Sequence, residues 1–249
     1  MLLKGLTALV TGGANGNGLA IAQGFAAHGA RVCICDIDHE KAQHSAAKIR
    51  ASGGQAYAYQ LDISNAPACH EVVEQIMGEL GSIDILVNNA GIRPRHDFDS
   101  PERDALWHKA MQVNVDGVRT MSLACLKSLA ARQGKIINIS SIAASRASAQ
   151  SIAYSTSKAA VEMLTKVMAL ELSASGVRIN AIAPGIIETQ MTEPSRNDRV
   201  RSQKLMSRIP MARFGKPDDL VGPALFLASD MSSYMTGAVL AVDGGYLCT

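Results

Sequence analysis

Two hydrophobic rhythms alternate along the chain. Short apolar runs of strand length fall at residues 6–10, 31–36, 55–61, 83–88, 135–140, 177–183 and 238–242. Between them, apolar residues return every three or four positions, as at Leu19, Ile21, Ala22, Phe25 and Ala26. The same spacing recurs at Ala153, Ala159, Ala160, Val161, Met163, Leu164, Val167, Met168 and Leu170. Runs of the first kind predict strands and those of the second predict amphipathic helices. Asp38 is placed to cap a helix over 39–50, and a further helix is predicted over 218–229. Regular strand–helix alternation predicts a parallel sheet with helices on both faces, hence an α/β fold. No repeat, low-complexity tract or linker breaks the pattern, so residues 1–249 read as one domain. Residues 190–212 form a long, charged connection, the kind that serves as an active-site lid.

Composition narrows the class. With 47% apolar residues among 249, the chain has enough apolar side chain for a sizeable core. A formal charge of +2 is too near neutral to suggest nucleic acid as a partner. The longest apolar run falls far short of the roughly twenty residues that span a membrane. The first strand begins almost at once, leaving no room for a signal peptide. Five cysteines, an odd number without metal-ligand spacing, point to a reducing cytoplasm. Cys33 and Cys35 alternate on one predicted strand, so they share a face as buried thiols. The six histidines show no ligand spacing either, and no metal is expected.

Two constellations carry chemistry. The first predicted strand runs into Thr11-Gly12-Gly13-Ala14-Asn15-Gly16-Asn17-Gly18, and a helical pattern follows. Glycines there let backbone approach a pyrophosphate, and the helix start offers unpaired N–H groups to it. Asp36, at the end of the second strand, is placed to bond a ribose 2′-hydroxyl. Its carboxylate would repel a 2′-phosphate, and neither Asn15 nor Ile37 supplies a cation, so the expected cofactor is NAD rather than NADP. The second constellation is Tyr154 with Lys158, thirteen residues after Ser141. Residues four apart share a helix face with a rise of roughly 6 Å. An ammonium there is expected to lower the tyrosine pKa, which suits it to move protons at a carbinol or carbonyl oxygen.

Taken in order, these residues resemble the short-chain dehydrogenase/reductase family, the branch of about this length. The resemblance covers essentially the whole chain. It rests on the glycine turn, Leu61-Asp62-Ile63, Asn88-Asn89-Ala90-Gly91, Asn114, Ser141, Tyr154-Ser-Thr-Ser-Lys158, Pro184-Gly185 and Val242-Asp243-Gly244-Gly245. It implies a Rossmann-like, doubly wound parallel sheet of about seven strands. It also implies that Gly12, Asn15, Gly16, Asn17 and Gly18 hold the pyrophosphate and that Asp62 and Ile63 meet the adenine. Asn89, Ala90 and Gly91 would lie under the adenine ribose. Pro184, Gly185, Ile187 and Thr189 would meet the nicotinamide carboxamide, with Tyr154 and Lys158 at the nicotinamide ribose. Asn114 would anchor a proton relay through Lys158, and Ser141 would hydrogen-bond the substrate oxygen. Asn17 departs from the family, which usually has an apolar residue there. The resemblance further implies a homotetramer, paired through the Tyr154 helix and through the 218–229 helix with the last strand.

The expected reaction is interconversion of a secondary alcohol and a ketone, with Tyr154 as general acid and base. One alternative is a 3-oxoacyl-carrier reductase, which would dock an acidic carrier on basic surface such as Arg132. Another, from a different class, is an NAD-binding sensor or scaffold without turnover. Three segments are expected around the substrate: residues 93–98, 143–152 and 191–211. Arg93, Arg95 and Arg146 in the first two suggest a small substrate with an acidic group. Only 4% of residues are aromatic, giving little support for stacking on a large flat ring.

Overall fold

The computed structural model describes all 249 residues, Met1–Thr249. Its strands are β1 (Thr7–Thr11), β2 (Arg31–Asp36), β3 (Gln55–Gln60), β4 (Ile85–Asn88), β5 (Lys135–Ile139), β6 (Arg178–Pro184) and β7 (Val239–Val242). All pair in parallel, in the order β3-β2-β1-β4-β5-β6-β7. Helices α1 (Gly16–Ala27), α2 (His39–Ala51) and α3 (Ala66–Leu80) connect the first strands. Next come α4 (Arg103–Met111), α5 (Gly117–Ala131) and α6 (Ile152–Leu172), followed by α7 (Glu193–Asn197), α8 (Arg199–Met206) and α9 (Val221–Ala228). The predicted doubly wound sheet is therefore present.

Burial explains the continuous apolar strands. Every residue of β1 and β4 is buried, as expected when helices cover both faces of a parallel sheet. Successive side chains of β1 enter opposite cores: Ala8 and Val10 pack with Phe25 and Ile21, while Leu9 packs with Leu86, Met121 and Ile136. The edge strand β7 is only half-buried. No helix is long and apolar enough to cross a membrane.

Differences from expectation lie at element ends. β4 starts at Ile85 because Asp84 caps the sheet instead, accepting from the Thr7 backbone N–H at 2.9 Å and from Arg132 Nε at 2.8 Å. The Asp38 cap forms as predicted, its Oδ1 accepting from the Lys41 N–H at 3.1 Å. The helix predicted from 218 begins as a 3₁₀ turn, Pro217–Leu220, before α9. Residues 190–206 are organised as a short turn followed by α7 and α8.

Between α4 and α5 the helix passes through a π-helical turn, Gln112–Asp116, containing Asn114. Such turns insert one extra residue and are frequent at functional sites. The strand order reverses between β1 and β4, which opens a crevice at the carboxyl ends of the strands, where α/β sheets bind ligands.

Candidate active site

A cleft of about 540 Å³ occupies that crevice, running from the glycine turn and Asp36 to Ser141, Tyr154 and Lys158. At the glycine end the backbone is packed too tightly for side chains. A Cβ on Gly12 would lie 2.8 Å from Ala90 Cα, and one on Gly18 would lie 2.3 Å from the Gly12 carbonyl oxygen. Asn15 opens α1 without a side-chain cap, and no acidic residue occupies the first turn. Backbone N–H groups therefore face the cleft at the positive end of a helix dipole. Asn17 is half-buried there, its Oδ1 without a partner.

The neighbouring strand ends brace this turn. Asn89 Nδ2 donates to the carbonyls of Thr11 and Gly12 at 3.0 and 2.8 Å. The backbone N–H groups of Asn89 and Ala90 both donate to Thr11 Oγ1. Asp36 is buried, and its oxygens accept from the N–H groups of Ala14 at 3.0 Å and Asp38 at 3.1 Å. Its negative charge is thus fixed against the turn, with lone pairs left for a further donor. Asp62 is exposed at the cleft wall, and Ile63 beside it is buried. Glycine backbone that side chains would obstruct, an uncapped helix start and an acid at the end of β2 together fit a dinucleotide.

At the other end the four predicted catalytic residues converge. Tyr154 and Lys158 project from the first turns of α6, and Ser141 follows β5. All are at least nine-tenths buried, and Asn114 is fully so. Asn114 Nδ2 donates to the Ile92 carbonyl and to Ser157 Oγ, both at 2.9 Å. Its Oδ1 accepts from the Ile92 N–H at 2.8 Å. Gly91 separates Asn114 from Lys158: a Cβ there would lie 3.1 Å from Asn114 Oδ1 and 3.5 Å from Lys158 Nζ. Ser157 was missed by sequence reasoning, although it sits inside the Tyr154–Lys158 motif. Pro184, Gly185, Ile187 and Thr189 form the facing wall, where Thr189 packs against the Gly16 turn.

Electrostatics correct one expectation. The Lys158 ammonium donates to the Ile139 carbonyl at 2.7 Å and lies 5.9 Å from the Tyr154 ring centre. Burial pushes its pKa down to about 8. Burial also pushes the Tyr154 hydroxyl above the usual phenol range, opposed by the Ser141 hydroxyl and the Arg93 guanidinium rather than by Lys158. Without ligands, Tyr154 is therefore a protonated donor at neutral pH.

The substrate-side arginines divide. Arg93 stacks over Tyr154, its guanidinium carbon 5.5 Å from the ring centre. Arg95 donates to Gln150 Oε1 at 2.8 Å and reaches Ser195 Oγ on α7 at 3.5 Å. Arg146 is exposed, and its side chain makes no hydrogen bond or ion pair within the protein.

Fold and site together define a dinucleotide-dependent oxidoreductase of the Rossmann type. Residues 12–247 match a family model described as enoyl-(acyl carrier protein) reductase. The chain is 38% identical over 247 residues to 5-keto-D-gluconate 5-reductase of Escherichia coli (strain K12), covering 98% of this chain and 96% of that protein. It is 39% identical over 254 residues to the 3-oxoacyl-[acyl-carrier-protein] reductase FabG of Thermotoga maritima, covering 98% and 99%. Among solved structures it is similar to a gluconate 5-dehydrogenase from Burkholderia cenocepacia J2315 in complex with NADP and tartrate. The TM-score is 0.95 at 39% identity, with coverage of 99% and 97%. The chain belongs to the short-chain dehydrogenase/reductase family.

Proposed function

We propose that this protein interconverts a small polar secondary alcohol and its ketone with NAD, using Tyr154 to exchange the proton. The observation that carries this reading is the convergence of Ser141, Tyr154, Lys158 and Asn114 at the end of a cleft whose other end is a glycine turn. A bound nicotinamide supplies or accepts the hydride. Ser141 donates to the substrate oxygen as charge develops on it, in the manner of an oxyanion donor. Tyr154 gives its proton to that oxygen in reduction and takes it back in oxidation. Lys158 would hold the nicotinamide ribose, while Asn114 and Ser157 fix the α6 end of the relay.

Asp36 supports NAD over NADP. A 2′-phosphate would meet a carboxylate already tied to the turn, and Ile37 beside it is apolar and exposed. The similar Burkholderia cenocepacia enzyme was solved with NADP, so cofactor preference is the point to measure. For the carrier-reductase alternative, Arg132 remains half exposed while paired with Asp84 at 2.8 Å, so a carrier would have to share it with that carboxylate. Polyhydroxy acids such as D-gluconate, named in two of these relatives, are the substrates to try first. We further propose one domain with a lid at about 190–212, a homotetramer and a cytoplasmic setting. The buried, unpaired thiols of Cys33, Cys35, Cys69 and Cys125 suit a reducing compartment.

The test is a steady-state survey of polyols, sugar acids, hydroxy acids and cyclic alcohols with both cofactors. Turnover with kcat/KM at least about tenfold higher for NAD is expected. Equal use of NADP would remove the Asp36 reading. Tight NAD binding without turnover on any alcohol would favour the sensor.

A further inference from the structure

Three arginines lie just outside the residues that line the cleft, on the Tyr154 side, and none belongs to any ion pair of the protein. Arg93 is mostly enclosed over Tyr154, with its Nε buried and without a partner. Arg95 bridges the Gln150 loop and Ser195 of α7. Arg201, in the first turn of α8, is half-buried. Its pKa is lowered first by burial and then by the charges of Arg95 and Arg93, so the three guanidiniums lie within electrostatic reach of one another. Asp198 opposes this weakly, and its Oδ1 is taken by the Arg201 backbone N–H at 3.0 Å. Asp97 is reached only through Gln150. Arg95 is exposed, whereas Arg93 and Arg201 are partly buried, and like charges held there without a counter-ion are unfavourable unless an anion joins them.

We infer that Arg93, Arg95 and Arg201 form a receptor for a carboxylate on the substrate, with Arg201 brought to it by the lid helix α8. This rests on the proposed hydride-transfer reading and names its substrate class: a small polyhydroxy or keto acid with its reacting carbon at Tyr154. Guanidinium forks match a planar carboxylate with paired donors. The dinucleotide phosphates do not compete for the cluster, since their glycine turn lies at the other end of the cleft. Arg201 falls in the 191–211 segment expected around the substrate, although its charges alone suggest no more than a solvated helix face.

The experiment measures binding of three probes to the enzyme–NAD complex by calorimetry. D-gluconate carries the carboxylate, D-glucitol replaces it with a hydroxymethyl group, and D-glucose 6-phosphate carries a phosphate. Gluconate is expected to bind at least about tenfold tighter than glucitol, and tighter than the phosphate. Arg93→Met and Arg201→Met are each expected to weaken gluconate about tenfold while glucitol changes less than twofold. Arg201→Lys should recover part of the loss, and Arg146→Met should have no effect. Retained NAD affinity shows that each variant is folded, and Arg201→Met on the lid keeps the test open if Arg93→Met misfolds. Equal binding of gluconate and glucitol, absence of binding by both, or tighter phosphate binding would overturn the assignment. Binding needs no turnover, so failure of the hydride-transfer reading would show separately, as absent NADH formation with gluconate bound.

Discussion

Burial places Tyr154 and Lys158 in opposite conditions before any ligand arrives. Tyr154 is held protonated, while Lys158 loses its proton near pH 8. A ribose held by the Lys158 ammonium favours the charged form, so cofactor affinity should be full below pH about 8 and decline above it. Fluorescence titration of NADH from pH 6.5 to 9.5 checks this, and the decline should vanish in Lys158→Met. Gly91 offers a second residue-scale prediction. Its φ lies outside the positive range, so alanine brings no backbone strain, only a methyl between Asn114 and Lys158. Gly91→Ala is expected to lower kcat about tenfold or more with little change in melting temperature. An unchanged kcat would show that nothing passes between those two side chains. Tyr154, Lys158, Ser141 and Asp36 were legible in the sequence because their spacing maps onto strand ends and one helix face. The protonation of Tyr154 was not, because it depends on burial and on where the Lys158 ammonium turns.

At the scale of elements, the strands were legible because both faces of a parallel sheet are covered, making each strand a continuous apolar run. The π-helical turn at Gln112–Asp116 was not: one extra residue in a helical turn leaves the apolar rhythm nearly unchanged. Likewise α7 and α8 have no buried apolar stripe, so they read as a connection. They are held by polar contacts, with Arg196 reaching Thr192 Oγ1 and the Thr189 carbonyl and Asp198 capping α8, and only the end of α8, at Leu205 and Met206, packs on the small Ile142–Ile209–Tyr246 cluster. Elements with few apolar contacts open at low free-energy cost. Amides of residues 193–206 should therefore exchange quickly in the free enzyme and slow at least severalfold with NAD and gluconate together. Uniform protection in both states would argue against a lid. At the end of β2, Asp36→Ala with Ile37→Arg should shift preference toward NADP, read as the ratio of kcat/KM values, by removing repulsion and adding a cation.

For the molecule as a whole, surface and core each make a prediction. Met163, Val167 and Leu170 lie at helical spacing on the exposed side of α6 and are 58%, 42% and 78% exposed. An apolar stripe of that kind suits an interface between copies, and light scattering at micromolar concentration should give a tetramer mass. In the core, Cys33, Cys35, Cys69 and Cys125 all have thiol pKa values raised by burial, Cys33 to about 12 and Cys69 to about 11. Thiols of the unfolded chain ionise near pH 9 while the folded ones stay neutral. Their contribution is thus complete below pH 9 and is lost as pH rises toward 11 and 12. Lys158, buried with a lowered pKa, pulls the other way between pH 8 and 10, one group against four. The urea midpoint should fall between pH 8.5 and 10.5, and less steeply in Cys35→Ala once its lower starting stability is subtracted.

The central claim is that Tyr154 moves the proton during hydride transfer. The most direct measurement compares wild type with Tyr154→Phe on the alcohol that wild type oxidises fastest, following NADH formation and measuring NAD affinity in parallel. Phenylalanine keeps the ring beneath Arg93 and removes only the hydroxyl. Loss of roughly 100- to 10,000-fold in kcat, with NAD affinity within about threefold, is the predicted result. A variant that keeps more than about a third of the wild-type rate would contradict the account, because some other group would then be handling the proton.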